Sequence, residues 1–397
     1  MYEYVQSYRV HSTRLFIFFS GTKMEASWNA TVSHAVIEAS NPYLARAYPY
    51  MPNDPRFSTS DIDRFVDQLM DYRGDCCWSD CFAPAWLAKL MQCGFLPIAT
   101  PCEPNKTVVL LPKLHSERCL MDPRAVHASK TVRKRSRRFT LSVDQAWDEV
   151  VARCVEQHGE NWLFPIMQRA FKALHVPAGK GGSTESAAAA SAAAGGRRVR
   201  LHSFELWSDT ETDDDDATAG GARPDAAAAA TTPGSKRKLV AGEIGYTVGK
   251  VYTSLTGFSH RDASSAGSVQ LLATARVLDG NGFAMWDLGM GMDYKLGMGA
   301  RNVARPDFVK QLRKHRGAPR LGESASSSGS SSSSSGSGSE GAAPTLALPG
   351  GAAFVNAHDV VAWERSTAVR LDSMRAAKKQ TQKQASKSGK GTRAKKK

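Results

Sequence analysis

The chain has 397 residues, 52 of them basic and 38 acidic, for a formal net charge of +14. Ten basic residues and no acidic one lie in Arg375–Lys397, which leaves +4 on the remainder, so this tail dominates the global charge and reads as a solvated arm for weak polyanion contact. No apolar run reaches the roughly 18–20 residues of a membrane span, "LFIFF" (Leu15–Phe19) lacks a cleavage site, and an odd set of seven cysteines without paired CxxC knuckles points to reduced thiols in a cytoplasmic compartment.

Taken in chain order, the residues to 60 form an N-terminal extension, and a smaller N-terminal α/β subdomain is expected over 61–135. Cys76, Cys77 and Cys81 read either as free thiols or as metal ligands awaiting a distant histidine. Phe82–Phe95 has helical apolar spacing and ends at Gly94, a C-cap residue; "KTVVLL" (Lys106–Leu111) reads as a strand. Arg124, Lys130, Arg133, Lys134, Arg135, Arg137 and Arg138 then form a basic cluster inside a folded stretch, which either faces a polyanion or is a solvated surface.

The main domain is expected over 136–318. Phe139–Val143 is a strand, and Ser142 or Asp144 caps a helix running to about His158. Trp162–His175 is a second helix with Ile166, Ala170, Phe171 and Leu174 on one side, and Leu201–Trp207 alternates like a half-buried strand. Leu239–Ser259 reads as a hairpin turning at Gly249–Lys250, Ser265–Leu278 as a third helix, and Phe283–Leu288 as an apolar strand carrying Asp287 near its end. Insertions over 178–197 and 209–236, and a Ser/Gly-rich linker over 319–350, bury too little apolar area to offset chain entropy and read as flexible. A C-terminal segment over 351–397 carries the basic tail. The order suits an α+β fold rather than alternating βαβ units.

Several stretches, in this order, resemble the leucyl/phenylalanyl-tRNA–protein transferase family: "FAPAWLAKLMQCGFLP", "PRAVHASKTVRK", "ENWLFPIMQRAFKALH", "LHSFELW" followed by "LVAGEIGYTVGKVY", "GFSHRDASS", and "WDLGMGMDYKLGMGARNVARPDF". The resemblance covers about Cys81–Lys310 once the low-complexity insertions are set aside. It implies a GNAT-like acyltransferase fold, no cofactor, and two partners: charged tRNA and the N-terminus of an acceptor protein, as in N-degron tagging. By resemblance, the basic cluster grips the tRNA acceptor stem through Arg133, Lys134, Arg135 and His127, and Trp162 stacks near the terminal adenosine; a core tryptophan is the alternative. The family's other stacking tryptophan falls at Ile98.

Asp287 matches the family's key aspartate, which is expected to orient a cationic amine; a strand-end turn former is the alternative. The family glutamate falls at Leu255 and the family glutamine at Gly289, so the expected pocket contains Leu255, Gly289 and Phe258. Asp293 is retained, and Tyr294 replaces a histidine. The methionines at 285, 290, 292 and 298 suggest a softer, wider pocket. Two other functions stand beside the transferase: a non-catalytic binder of tRNA or of basic N-termini, and an acetyl-CoA-dependent acyltransferase, which would need "SSAG" (Ser264–Gly267) as its pyrophosphate loop.

Overall fold

The structure is a computed structural model and describes residues 34–52, 57–102, 106–175, 199–208, 237–317 and 345–362. The expectations for 178–197, 209–236, most of 319–350 and the Arg375–Lys397 tail lie outside the described residues. In chain order the elements are α1 (His34–Ser40), α2 (Pro42–Ala47), α3 (Thr59–Gln68), α4 (Pro84–Gln92), β1 (Leu96–Cys102), β2 (Thr107–Lys113), β3 (Glu117–Met121), α5 (Lys130–Arg135) and β4 (Phe139–Val143). They continue with α6 (Trp147–His158), α7 (Pro165–Leu174), β5 (Val199–Ser208), β6 (Lys238–Val248), β7 (Val251–Ser259) and α8 (Ala266–Gly280). Last come β8 (Met285–Asp287), α9 (Asp293–Gly297), β9 (Arg301–Ala304), α10 (Arg305–His315) and β10 (Phe354–Asn356).

Among the described residues, eight strands form one mixed sheet in the order β10-β4-β5-β6-β7-β8-β3-β9, and β1 and β2 form a separate antiparallel pair. The α+β class therefore holds. Only β7 and β8 pair in parallel among the described residues. Helices α4, α6, α7 and α10 cover one face of the sheet, and α8 covers the other. α7 shows why: Met167, Ala170, Phe171 and Leu174 recur at helical spacing and are all buried, giving it a single apolar stripe. α8 is buried almost all round, as a helix wedged against a wide sheet must be.

Gly94, at φ +95°, ends α4, where an added Cβ would lie 2.8 Å from Leu312. The β6–β7 hairpin turns at Gly249 as expected, and the glycine is required twice over: its φ is +55°, and a Cβ would meet the backbone of Arg316 at 2.5 Å.

Three expectations are corrected. β5 is buried along most of its length rather than on alternate residues, because helices cover both faces of the sheet at that point. Neither Ser142 nor Asp144 caps α6. Ser142 donates to Glu205 at 2.6 Å, and Asp144, at φ +59°, accepts from the Ser203 amide (2.9 Å) and sits 2.8 Å from His202 Nδ1. Glu205, reaching across from β5, takes the Ala146 amide at 3.3 Å instead. The end of the expected linker and the start of the expected C-terminal segment are also built into the domain: Leu346 and Leu348 of the former and Ala357, Val360 and Val361 of the latter join the core under α8, and β10 pairs with β4. Three further strands, β1, β3 and β9, escaped the sequence reading, and one of them matters for the site: β3 lies inside the large sheet, between β8 and β9, although its residues fall in the stretch expected to be the N-terminal subdomain.

Arg305 staples the N-terminal helices to the sheet. Its guanidinium is buried and donates to the carbonyls of Leu69, Tyr72 and Gly74 at 2.7 Å, to that of His115 at 3.3 Å, and to Asp75 at 3.2 Å. Arg305→Met leaves these acceptors dry and unpaired. It should destabilise the fold by about 3–5 kcal/mol in urea titration; an unshifted midpoint would show that the staple contributes nothing.

Glu205 sets a pH dependence. Burial pushes its carboxyl up to about 7, against hydrogen bonds from Ser142, Ser203 and Ala146 that favour the charged form. The folded chain thus holds this proton where the unfolded chain has released it, and stability declines as pH rises from about 4.5 through 7. Glu205→Gln should leave the melting temperature nearly unchanged at pH 4 and raise it at pH 8, by a free energy on the order of 3 kcal/mol.

Candidate functional site

The parallel pair is short. Val251, Tyr252 and Thr253 pair with Met285, Trp286 and Asp287, and there the two strands part. β7 runs on to Ser259, paired with β6 alone, while the chain after β8 turns onto β3, where the Leu288 amide bonds Cys119 O at 2.9 Å and the Cys119 amide bonds Gly289 O at 2.8 Å. A notch opens at the C-terminal ends of parallel neighbours, the place where sheets of this kind receive ligands. The β6–β7 register shifts at the same level: Gly245 pairs with Ser254 and Ile244 with Thr256, leaving Leu255 as the extra residue of a bulge.

One wall of the notch is Asp287, only 1% exposed. Its carboxylate lies 3.1 Å from Arg118 of β3 and accepts from the Gly289 amide at 2.9 Å and the Thr253 hydroxyl at 3.4 Å. Arg118 has no exposed surface; it also donates to Gly94 O at 2.9 Å and rests 4.4 Å from the centre of the Phe308 ring. The carboxylate is therefore already engaged by a buried cation. Gly289 has φ +70°, so the turn out of β8 favours glycine. Leu255 is half-buried against the core, and Phe258 is buried in it, with its ring edge-on to His260.

A second polar group lies on the other face of the same strands. Glu243 of β6 accepts from the Tyr252 hydroxyl at 3.1 Å and from Ser254 at 3.3 Å, and Ser254 in turn accepts from Trp286 Nε1 at 2.9 Å. Burial pushes the Glu243 carboxyl up to about 7 and carries Tyr252 well above its ordinary range. Lys295 closes the rim, donating to Leu288 O at 2.7 Å and Met290 O at 2.9 Å; burial pulls its ammonium down against the attraction of Cys119, Asp287 and Glu243.

The rim leads to the basic segment. The His127 amide bonds Met298 O at 3.3 Å, and the imidazole itself is exposed. The basic residues lie just before β4: Ser129 caps α5, and a short 3₁₀ turn joins it to β4. Lys130, Lys134, Arg137 and Arg138 are exposed, whereas Arg133 and Arg135 are half-buried. Arg135 donates to the hydroxyls of Ser264 and Ser265, which ties α5 to the "SSAG" turn. Trp162 is half-buried, 6.2 Å from Phe171 and tilted 57° to it, and Ile98 sits in β1. Tyr294, Met290 and Leu296 are exposed near the rim.

Among the described residues no three His, Cys, Asp or Glu side chains converge as a metal site, and burial pushes the Cys76 thiol to about 11 and Cys77 to about 12. The sequence reading missed Arg118, Glu243, Ser254 and Lys295. Only Glu243 carried a signal, as the lone acid in the apolar strand "LVAGEIGYTV".

A family model described as leucyl/phenylalanyl-tRNA protein transferase matches residues 120–212 and 227–313. The leucyl/phenylalanyl-tRNA–protein transferase of Chromohalobacter salexigens is 25% identical over 261 residues, covering 64% of this chain and 78% of that protein. Those of Azotobacter vinelandii (24% over 207 residues, 51% and 70%) and Pseudomonas fluorescens strain SBW25 (25% over 210 residues, 52% and 71%) are also similar. The matched spans take in the notch and its Asp287 wall, the Lys295 rim and the basic segment of α5. Over these spans the chain is similar to the leucyl/phenylalanyl-tRNA–protein transferase family.

Proposed function

We propose that this chain transfers leucine or phenylalanine from charged tRNA to the N-terminal amine of an acceptor protein in a cytoplasmic setting. One observation carries the reading most: within the family-matched spans, the notch where β7 and β8 part adjoins an exposed basic helix through the Met298–His127 contact. A parting parallel pair in a mixed sheet also supports a GNAT-like transferase fold, which takes in β3 and β10 as well as the strands of 136–318. The aminoacyl ester is already activated. Holding the amine against its carbonyl carbon removes much of the remaining barrier. The new amide C–N bond forms as the ester C–O bond to ribose breaks.

In this reading Lys130, Lys134, Arg137 and Arg138 bind phosphates, with Arg133, Arg135 and His127 behind them, and Trp162 offers one ring face to the terminal adenosine. Asp287 fixes the notch wall through Arg118 and the Gly289 amide, and shapes the pocket beside Leu255 and Phe258. The test is incubation with radiolabelled leucyl-, phenylalanyl- and arginyl-tRNA and peptides of varied N-terminal residue. Leucine or phenylalanine on peptides beginning with Arg or Lys supports the reading. Binding of tRNA without transfer would favour the non-catalytic binder.

Two outcomes follow from the geometry. Charge reversal at Lys130, Lys134, Arg137 and Arg138, with the tail deleted, should weaken tRNA binding and flatten its salt dependence by about 0.9 log units for each phosphate no longer neutralised. An unchanged slope in filter-binding titrations would make the cluster plain surface.

Asp287→Asn should lower transfer roughly 10- to 150-fold with little change in tRNA affinity. It should also destabilise the fold by about 3–5 kcal/mol, because Arg118 loses its counter-charge while buried. Thermal melts and single-turnover assays measure the two effects separately.

A further inference from the structure

Ser254 is the first residue of β7 beyond the last pair with β8, and it is half-buried at the notch edge. Its hydroxyl oxygen accepts from Trp286 Nε1 at 2.9 Å, which directs its own proton to Glu243 Oε2 at 3.3 Å and leaves one lone pair over. The carboxylate behind it is held firmly. Tyr252 donates to Glu243 Oε1 at 3.1 Å, and its ring lies across Gly245, where a Cβ would come within 2.4 Å of the phenol oxygen. On the other side Gly257 stands opposite Glu243, and a Cβ there would meet Glu243 Cβ at 3.0 Å. Two glycines and a tyrosine thus clear room for one acid that the fold alone has no use for.

We propose that Ser254 and Glu243 form the proton path of the transfer site, with the Ser254 hydroxyl accepting a proton from the attacking amine as it passes its own to the Glu243 carboxylate. The inference rests on the transferase reading above. It also places a carboxylate on the strand next to the Leu255 bulge. The acceptor enters as an ammonium, and its first proton passes through Ser254 to Glu243 and is lost to solvent. The nitrogen then attacks the ester carbonyl carbon. As the C–N bond forms and the C–O bond to ribose breaks, the nitrogen's second proton crosses the same hydroxyl to the ribose oxygen.

The surroundings suit the task. Burial sets Glu243 at about 7, so near neutral pH it exists in both forms. Facing it are Tyr252 from β7, Gln270 from α8, Cys154 from α6, whose thiol burial pushes to about 12, and Lys295 across the rim. His158 of α6 lies behind Gly257, its Nε2 2.7 Å from the Gly257 carbonyl oxygen. Of these, Lys295 favours the ionised carboxylate through its positive charge.

The test is single-turnover leucine transfer by the full chain at saturating leucyl-tRNA, followed from pH 5.5 to 9. The wild type should rise through an apparent pKa near 7, with a second rise at about 7.7–8.0 from the acceptor's own amine. Glu243→Gln and Ser254→Ala should each abolish the lower limb, cut the rate about 100-fold at pH 8, and leave leucyl-tRNA affinity unchanged. The double variant should be no slower than either single one. Ser254→Thr, which keeps the hydroxyl, should restore the limb, and this arm holds if Ser254→Ala fails to fold. A limb near pH 7 that survives in Glu243→Gln overturns the proposal while leaving the transferase reading intact. A wild type that transfers from no charged tRNA overturns both.

Discussion

A cation with no contact to water sits beneath the junction of β3 and β8, and Asp287 neutralises it. Burying a guanidinium alone is prohibitive, so β8 can lie beside β3 only with that carboxylate in place. The same contact fixes the end of β8, because the second carboxylate oxygen takes the Gly289 amide and turns the chain toward β3. Where that turn begins, β7 loses its parallel neighbour. The notch is therefore a by-product of neutralising Arg118, and everything assigned to the site depends on it.

This arrangement divides the acids by role. Asp287, on one face of the strands, is committed to a structural charge. Glu243, on the other, accepts only from neutral donors. A carboxylate locked to a guanidinium is a poor proton acceptor, whereas one raised by burial toward neutrality exchanges protons readily.

The sequence made local elements legible wherever periodicity was strong: α4, β4, α7, the β6–β7 hairpin and α8 all stand within a few residues of where spacing and glycines place them. It failed where tertiary contact decided. β9 is too short to show a pattern, β3 opens on the charged pair Glu117–Arg118 and so hides its burial, β5 looked half-exposed because nothing local reveals a second covering layer, and Asp144 turned from helix cap to partner of His202. At the site, Asp287 was legible as an acid ending an apolar strand. Its partner Arg118, 169 positions earlier in the chain, was not, since pairing at that separation leaves no mark on spacing. Ser254 and Lys295 are ordinary residues until the strands part beside them.

The far edge of the large sheet has a consequence for the order in which the chain is made. β4 is complete by residue 143, yet the strand that shields it, Phe354–Asn356, is synthesised more than 200 residues later. Throughout that interval the emerging chain presents a bare row of amides and carbonyls on β4, able to pair with any extended segment nearby. At roughly 5–20 residues per second the exposure lasts from about ten seconds to most of a minute. For this protein the hazardous period is thus set by ribosome speed as well as by thermodynamics, and the closing strand acts as a seal fitted last.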